Sequence, residues 1–221
     1  MSKETLAVIG GTGNIGFGLA LRWADAGYPI IIGSRSEERA GQAASELNAR
    51  LSDGTIRGMA NPRAAAVADI VVLTVPFAAQ GGTLEQVREG CQEKIVVDVT
   101  VPLMPPRVNR VQLPPEDSAA VITQSVLGQR CRVVSAFQNV GAEHLQHLGQ
   151  EIDCDVLVCG NDKEARSTVV GLASAAGLHG IEAGPLANSV AVEALTSVLI
   201  WLNQRHKVKG SGIRITGLTS A

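Results

Sequence analysis

Gly11, Gly13 and Gly16 carry the first chemical signal in this chain, at the spacing G-x-G-x-x-G. Before them runs Leu6-Ala7-Val8-Ile9, apolar and rich in β-branched residues; after them Phe17, Leu19, Ala20, Leu21, Trp23 and Ala24 form a helical pattern. In a strand–turn–helix of this kind the first glycine permits the tight turn. The second lets the backbone approach a pyrophosphate with no Cβ in the way, and the third lets the helix lie close to the strand. The helix start then offers unpaired N–H groups and a positive dipole end to phosphate. Glycines mark any tight turn, but a second apolar run, Ile30-Ile31-Ile32, follows at the spacing of a βαβ unit. That context favours a phosphate-binding turn.

The end of the second strand selects the cofactor. NAD-preferring folds place an acidic residue there, about 20 residues past the turn, for the ribose 2′-hydroxyl. Here the residues are Ser34 and Arg35, with Arg39 one helical turn on. A guanidinium forks onto a 2′-phosphate that a carboxylate would repel. The same arginines could be ordinary solvated charges; the glycine turn upstream favours the phosphate reading, and hence NADP over NAD.

Other reactive residues point to less. His144 and His147 lie near Cys154 and Cys159 in sequence, but the spacing matches no standard zinc pattern, so structural or solvated histidines are expected and no metal. His206 beside Lys207 suits a helix end as a dipole-complementing cation. No G-x-S-x-G is present to suggest a hydrolase. Hydride transfer needs no protein nucleophile, only two rings held in contact, and no catalytic side chain is assigned.

The elements that must hold these residues alternate. Ser36 caps a helix running to about Leu51, Asp53-Gly54 turns, and Thr55 to Met59 is a short strand. Pro62 opens a third helix. Ile70 to Val75 is an unbroken apolar strand, the kind buried on both faces of a parallel sheet, and a helix spans about Ala79 to Glu89. Ile95 to Val99 is a strand, and residues 102–115, with five prolines, form a long loop. Asp117-Ser118 caps a helix to Leu127, Arg132 to Phe137 is a strand, and a helix covers Ala142 to Leu148. Asp155 to Cys159 is a strand, Asp162 to Ala176 a helix and Leu178 to Glu182 a strand. Val192, Leu195, Leu199 and Leu202 recur at helical spacing in the last long helix, and Ile213-Arg214-Ile215 suggests a short edge strand. The pattern predicts an α/β fold: a doubly wound, mostly parallel Rossmann-type sheet with a small C-terminal helical extension. Residues 1–137 would form the NADP-binding domain, and 138–221 would complete the acceptor cleft, in one continuous body or two. The consecutive Val198-Leu199-Ile200-Trp201-Leu202 suggests a homodimer or higher homo-oligomer.

Composition excludes several classes. At 221 residues, 45% hydrophobic and 18% charged, the chain can bury a core. Its net charge is −2 and only 3% of residues are aromatic, so neither a basic patch nor a stacking platform for nucleic acid is expected. No apolar region suggests a signal peptide or a membrane span, and Cys91, Cys131, Cys154 and Cys159 form no C-x-x-C. A cytoplasmic protein with free thiols is expected.

Together, Gly10-Gly11-Thr12-Gly13-Asn14-Ile15-Gly16, Gly33-Ser34-Arg35, Leu73-Thr74-Val75-Pro76 and Val158-Cys159-Gly160-Asn161-Asp162 resemble the NADPH-dependent reductases of coenzyme F420. Ala183-Gly184-Pro185-Leu186-Ala187-Asn188-Ser189 strengthens the resemblance, which covers essentially the whole chain. It implies hydride exchange between NADPH and the deazaflavin ring of F420. It also implies that Thr12, Gly13, Asn14, Ile15, Ser34, Arg35 and Arg39 hold NADP, with Val75 and Ala142 beside the nicotinamide and Pro76 and Phe77 among the cofactor-binding residues. The archaeal members have a His-Thr pair where this chain has Gln138-Asn139, and a larger aromatic in place of Phe77. These positions would face the second cofactor. Two alternatives stay open: an NADP-dependent reductase of a flavin, ferric chelate or imine, and a non-catalytic NADP-binding redox sensor.

Overall fold

The computed structural model describes residues 3–53 and 55–218, so Gly54 of the expected turn lies outside the described residues. The elements are β1 (Leu6–Ile9), α1 (Asn14–Asp25), β2 (Ile30–Ser34), α2 (Glu37–Asn48), β3 (Arg57–Ala60), α3 (Asn61–Val67), β4 (Ile70–Leu73) and α4 (Phe77–Val87). They continue with β5 (Ile95–Asp98), α5 (Ala119–Leu127), β6 (Arg132–Ser135), α6 (Ala142–Leu145), β7 (Asp155–Gly160), α7 (Lys163–Ala175), β8 (His179–Glu182) and α8 (Ser189–His206).

The strands form one sheet in the order β3-β2-β1-β4-β5-β6-β7-β8, all pairs parallel except β6–β7. The first six follow the doubly wound dinucleotide-fold order. Central strands read as continuous apolar runs because both faces are covered: Leu6 and Val8 enter the core under α1, α2 and α7, while Ala7 and Ile9 enter the core under α3, α4 and α5. Trp23 of α1 meets Phe137 edge-on, ring centroids 5.7 Å apart, and donates its indole N–H to the carbonyl of Leu172.

Several boundaries differ from expectation, each for a local reason. α2 stops at Asn48 because the Asn48 side chain turns to bond both the N–H and the C=O of Ile56, each at 2.9 Å. α6 is one turn long because the Arg22 guanidinium takes the carbonyls of His144, Leu145, His147 and Gln150. Residues 213–215 form no strand. Asp155 N–H bonds Ile213 O at 2.8 Å, but the Ile215 N–H goes to the Asp155 carboxylate, so no ladder develops.

The expectation that nothing reaches membrane-span length is corrected at Leu186–His206, which is long and apolar enough by length and composition. Its docked side is mixed. Val192 and Leu199 are buried beside Ser189, Glu193 and Ser197, while Val198 and Trp201 point outward, 44% and 49% exposed. The Glu193 carboxylate accepts the Ala119 N–H at 2.7 Å and the Ala120 N–H at 3.0 Å, and the Ser189 and Ser118 hydroxyls meet at 2.8 Å. Helix α8 is thereby tied to the start of α5.

Burial outweighs those two N–H bonds and pushes the Glu193 carboxyl from 4.5 up to about 8. The folded chain therefore keeps a proton that the unfolded chain releases. Stability from this group is full below pH 4.5 and falls as pH rises toward about 8. Urea midpoints at pH 5 and pH 8.5 should differ more for the wild type than for Glu193→Gln; equal differences would reject the assignment.

Candidate dinucleotide site

Where β1 and β4 lie side by side, their connections leave in opposite directions across the sheet. A cleft of about 680 Å³ opens outside the carboxyl ends there. Ligands bind at such switch points in open α/β sheets, and the volume is that of a cofactor pocket. The turn from β1 into α1, the end of β2, the exit of β4 and the exit of β5 all contribute to its lining.

The glycines do separable jobs. A Cβ on Gly11 would meet Val8 O at 2.8 Å, and one on Gly16 would collide with Thr74 Oγ1 and stand 2.9 Å from Gly11 Cα. Both lie under the turn and permit close packing. At Gly13 the nearest protein atom would stand at 3.4 Å, an ordinary contact, so the fold does not demand glycine there. Gly13 faces the cleft at the start of α1, which has neither a side-chain cap nor an acidic residue in its first turn. By contrast α2, α5 and α7 are capped by Ser36, Ser118 and Asp162. The α1 N-terminus keeps its donors for an anion. Gly13→Ala should therefore leave the melting temperature nearly unchanged and weaken NADPH binding by on the order of tenfold, or 1.4 kcal/mol. Gly16→Ala should instead destabilise the fold by about 1–3 kcal/mol through overpacking. Calorimetric titration beside thermal melts separates the two.

Thr12, Asn14 and Ile15 line the cleft beside Gly13. Ser34, Arg35 and Arg39 stand at its β2 end, and neither arginine is paired with a carboxylate among the described residues. Among the described residues the lining contains no Asp or Glu. Thr74 closes the gap between β1 and β4: its N–H and its hydroxyl both donate to Ile9 O at 2.9 Å. Val75, Pro76 and Phe77 follow it into the cleft, and Ala142 also lines it.

Gln138 and Asn139 are not brought to the cleft. Phe137 takes a left-handed backbone, φ 73°, and turns the next two residues inward. Gln138 Nε2 donates to Asp98 O and Ser135 Oγ, both at 2.8 Å, and Asn139 Nδ2 donates to Asp155 O at 2.7 Å. These carboxamides stitch the exit of β6 to β5 and β7. The segment Ala183–Ser189 also stands outside the lining: Gly184 adopts φ +94°, Asn188 Nδ2 donates to Ala183 O, and Ser189 meets Ser118.

Sequence reasoning missed Asn61, Thr83 and the stretch Val99–Val101 as lining residues. The last had a usable signal, since it leaves the carboxyl end of β5 beside the switch point. Thr100 is held there by its N–H to Asp98 Oδ1 at 2.8 Å. Asp98 is fully buried, and desolvation raises its pKa against bonds from Thr123, Thr100 and Gln80. His144 bonds Gly210 O and is structural, the four cysteines are free and buried, and no metal-binding cluster occurs among the described residues.

Fold and cleft define a doubly wound dinucleotide-binding protein. Residues 5–102 match the family described as NADP oxidoreductase coenzyme F420-dependent. The F420-dependent NADP reductase of Methanocaldococcus jannaschii is 44% identical, the match covering 96% of this chain and 98% of that one. The F420-dependent NADP reductase of Methanothermobacter thermautotrophicus is 41% identical over 96% of this chain and 95% of its own. The crystal structure of an Arthrobacter sp. FB24 protein described as an F420-dependent NADP-reductase superposes with a TM-score of 0.79 at 27% identity, covering 96% and 99% of the two chains. The chain belongs to the family of F420-dependent NADP reductases.

Proposed function

We propose that this protein exchanges hydride between NADP(H) and coenzyme F420. The observation that carries the reading is the cleft's polarity: an uncapped helix N-terminus and two arginines without a carboxylate partner among the described residues at one end, and a largely apolar wall at the other. Thr12, Gly13, Asn14 and Ile15 would hold the pyrophosphate on the α1 N-terminus, with Gly11 and Gly16 shaping the turn. Ser34, Arg35 and Arg39 would hold the 2′-phosphate. Val75, Pro76, Phe77 and Ala142 would confine the nicotinamide, and Val99, Val101 and Leu103 would back the acceptor. NADP(H) and F420 supply the reacting carbons. The chain's part is alignment and exclusion of water, with no side chain required as acid or nucleophile.

Residues 1–137 serve the dinucleotide in this reading, and 138–221 contribute Ala142 and α8. The outward Val198 and Trp201 support a homodimer or higher homo-oligomer through α8, and the free buried thiols suit the cytoplasm.

The test is a spectrophotometric assay of purified protein with NADPH and F420, following deazaflavin absorbance, with NADH in parallel. Rapid bleaching with NADPH and little with NADH is expected. Tight NADPH binding without bleaching would reject F420 as acceptor.

A further inference from the structure

We propose that Asp98 is a positioning residue for hydride transfer: its carboxylate fixes the separation between the first turn of α4, which would confine the nicotinamide, and the exit of β5, which would back the acceptor ring. The inference rests on NADP(H) and F420 meeting in the cleft and adds a residue outside the glycine turn and the arginine pair. Asp98 ends β5, is fully buried, and stands behind the lining rather than in it. Its Oδ1 accepts the Thr100 N–H at 2.8 Å; its Oδ2 accepts the Thr123 hydroxyl at 2.6 Å and Gln80 Nε2 at 3.1 Å. Gln80 Nε2 also donates to Ala119 O at 3.0 Å and to Thr123 Oγ1 at 2.9 Å.

Two of these partners hold the lining from behind. Gln80 lies in α4 among Phe77, Ala79 and Thr83, which line the cleft. That helix opens at Pro76 with no side-chain cap, and Gln80 ties its first turn to β5 and α5. Thr100 stands between Val99 and Val101, also in the lining, at the start of residues 99–118, which form no helix or strand. The Val99 N–H still reaches Leu73 O at 3.0 Å, and the Asp98 carboxylate supplies the next bond along the exit. Burying a carboxyl is costly, and an apolar side chain of similar volume would pack β5 against α4 and α5 as well. What the carboxylate adds is direction: two oxygens in one plane hold donors from α4, α5 and the β5 exit at once. The reacting carbons must stand about 3–3.5 Å apart in line, so a shift of either wall acts on the rate before it acts on binding.

The experiment is single-turnover reduction of F420 by enzyme-bound NADPH, at saturating F420, in wild type, Asp98→Asn and Gln80→Leu, with calorimetric titration of NADPH into each. Asparagine keeps one acceptor oxygen and puts an NH2 group in place of the other; leucine removes the Gln80 donor. Thr123→Val, which removes one donor at similar shape, stands in for a variant that does not fold. The variants should transfer hydride with a rate constant about 10- to 100-fold lower. Reaction amplitude and NADPH affinity should not change, because the phosphate-binding end is built on β1, β2 and α1. A purely structural role would instead lower the amplitude, through loss of folded enzyme, and leave the rate constant of the remainder alone. That result, or a wild-type rate constant in the folded variants, would overturn the proposal. So would a loss of NADPH affinity in step with the rate, which assigns Asp98 to the dinucleotide site as a whole. Tight NADPH binding by the wild type without F420 reduction would overturn the acceptor reading, and the inference with it.

Discussion

Arg35→Ala should weaken NADPH binding by about 10- to 100-fold while changing NADH binding little. Charge-assisted hydrogen bonds are worth about 1.5–3 kcal/mol, and only NADP carries the 2′-phosphate that would receive them. The side chain is exposed and has no carboxylate partner among the described residues, so its removal disturbs no internal contact. Arg35→Lys should recover part of the loss, because an ammonium supplies charge but not a planar fork. Arg39→Ala should act in the same direction. Titration of each variant with both cofactors gives the result directly. Equal losses for NADPH and NADH would remove Arg35 from the 2′-phosphate and return it to the solvated surface.

Arg22→Met should lower stability by about 3–5 kcal/mol, the penalty typical of removing one member of a buried charged network. Arg22 lies on α1, 7% exposed, and its guanidinium donates to five carbonyls. Nε reaches Leu145 at 3.1 Å and Nη1 reaches Ala176 at 2.9 Å; Nη2 reaches His144, His147 and Gln150 at 2.8–3.0 Å. Burial lowers the guanidinium pKa from its ordinary value. Methionine keeps the apolar stem but leaves the carbonyls that end α6 and α7 without a donor. For a chain of this size the melting temperature should drop by roughly 10 °C. Because α1 also offers its N-terminus to the cleft, NADPH affinity should fall too. A fall of under about 1 kcal/mol would mean that water replaces the guanidinium, and that the clamp is dispensable.

The central strands and the glycine turn were legible because their signals are local. β1 and β4 are apolar without interruption, β2 and β5 open on the apolar runs Ile30-Ile31-Ile32 and Ile95-Val96-Val97, and Ser36, Ser118 and Asp162 announce the helices they cap. Arg35 was legible because chain distance from the turn and residue type suffice. Gln138 and Asn139 were misplaced because their orientation depends on the left-handed Phe137, whose backbone conformation no periodicity encodes. Asn61 sits beside the helix-opening Pro62, and only the approach of β2 to α3 makes it a buried, unpartnered carboxamide. Nothing local in the sequence marks Arg22. Its role arises from α6 and α7, more than 120 residues away along the chain. Glu193 was hidden in an apolar pattern, and its partners are the first peptide groups of α5.

The absence of any carboxylate from the cleft lining has an effect at long range. The chain as a whole carries a net charge of only −2, so its overall charge does nothing to attract nucleotides. Arg35 and Arg39 stand in a cleft whose low-dielectric walls hold no compensating negative charge, so positive potential is focused there. An anionic cofactor is therefore drawn to this mouth. Its most highly charged end arrives first. Selection between a phosphorylated and an unphosphorylated cofactor thus begins during diffusional approach, before any hydrogen bond to the protein has formed.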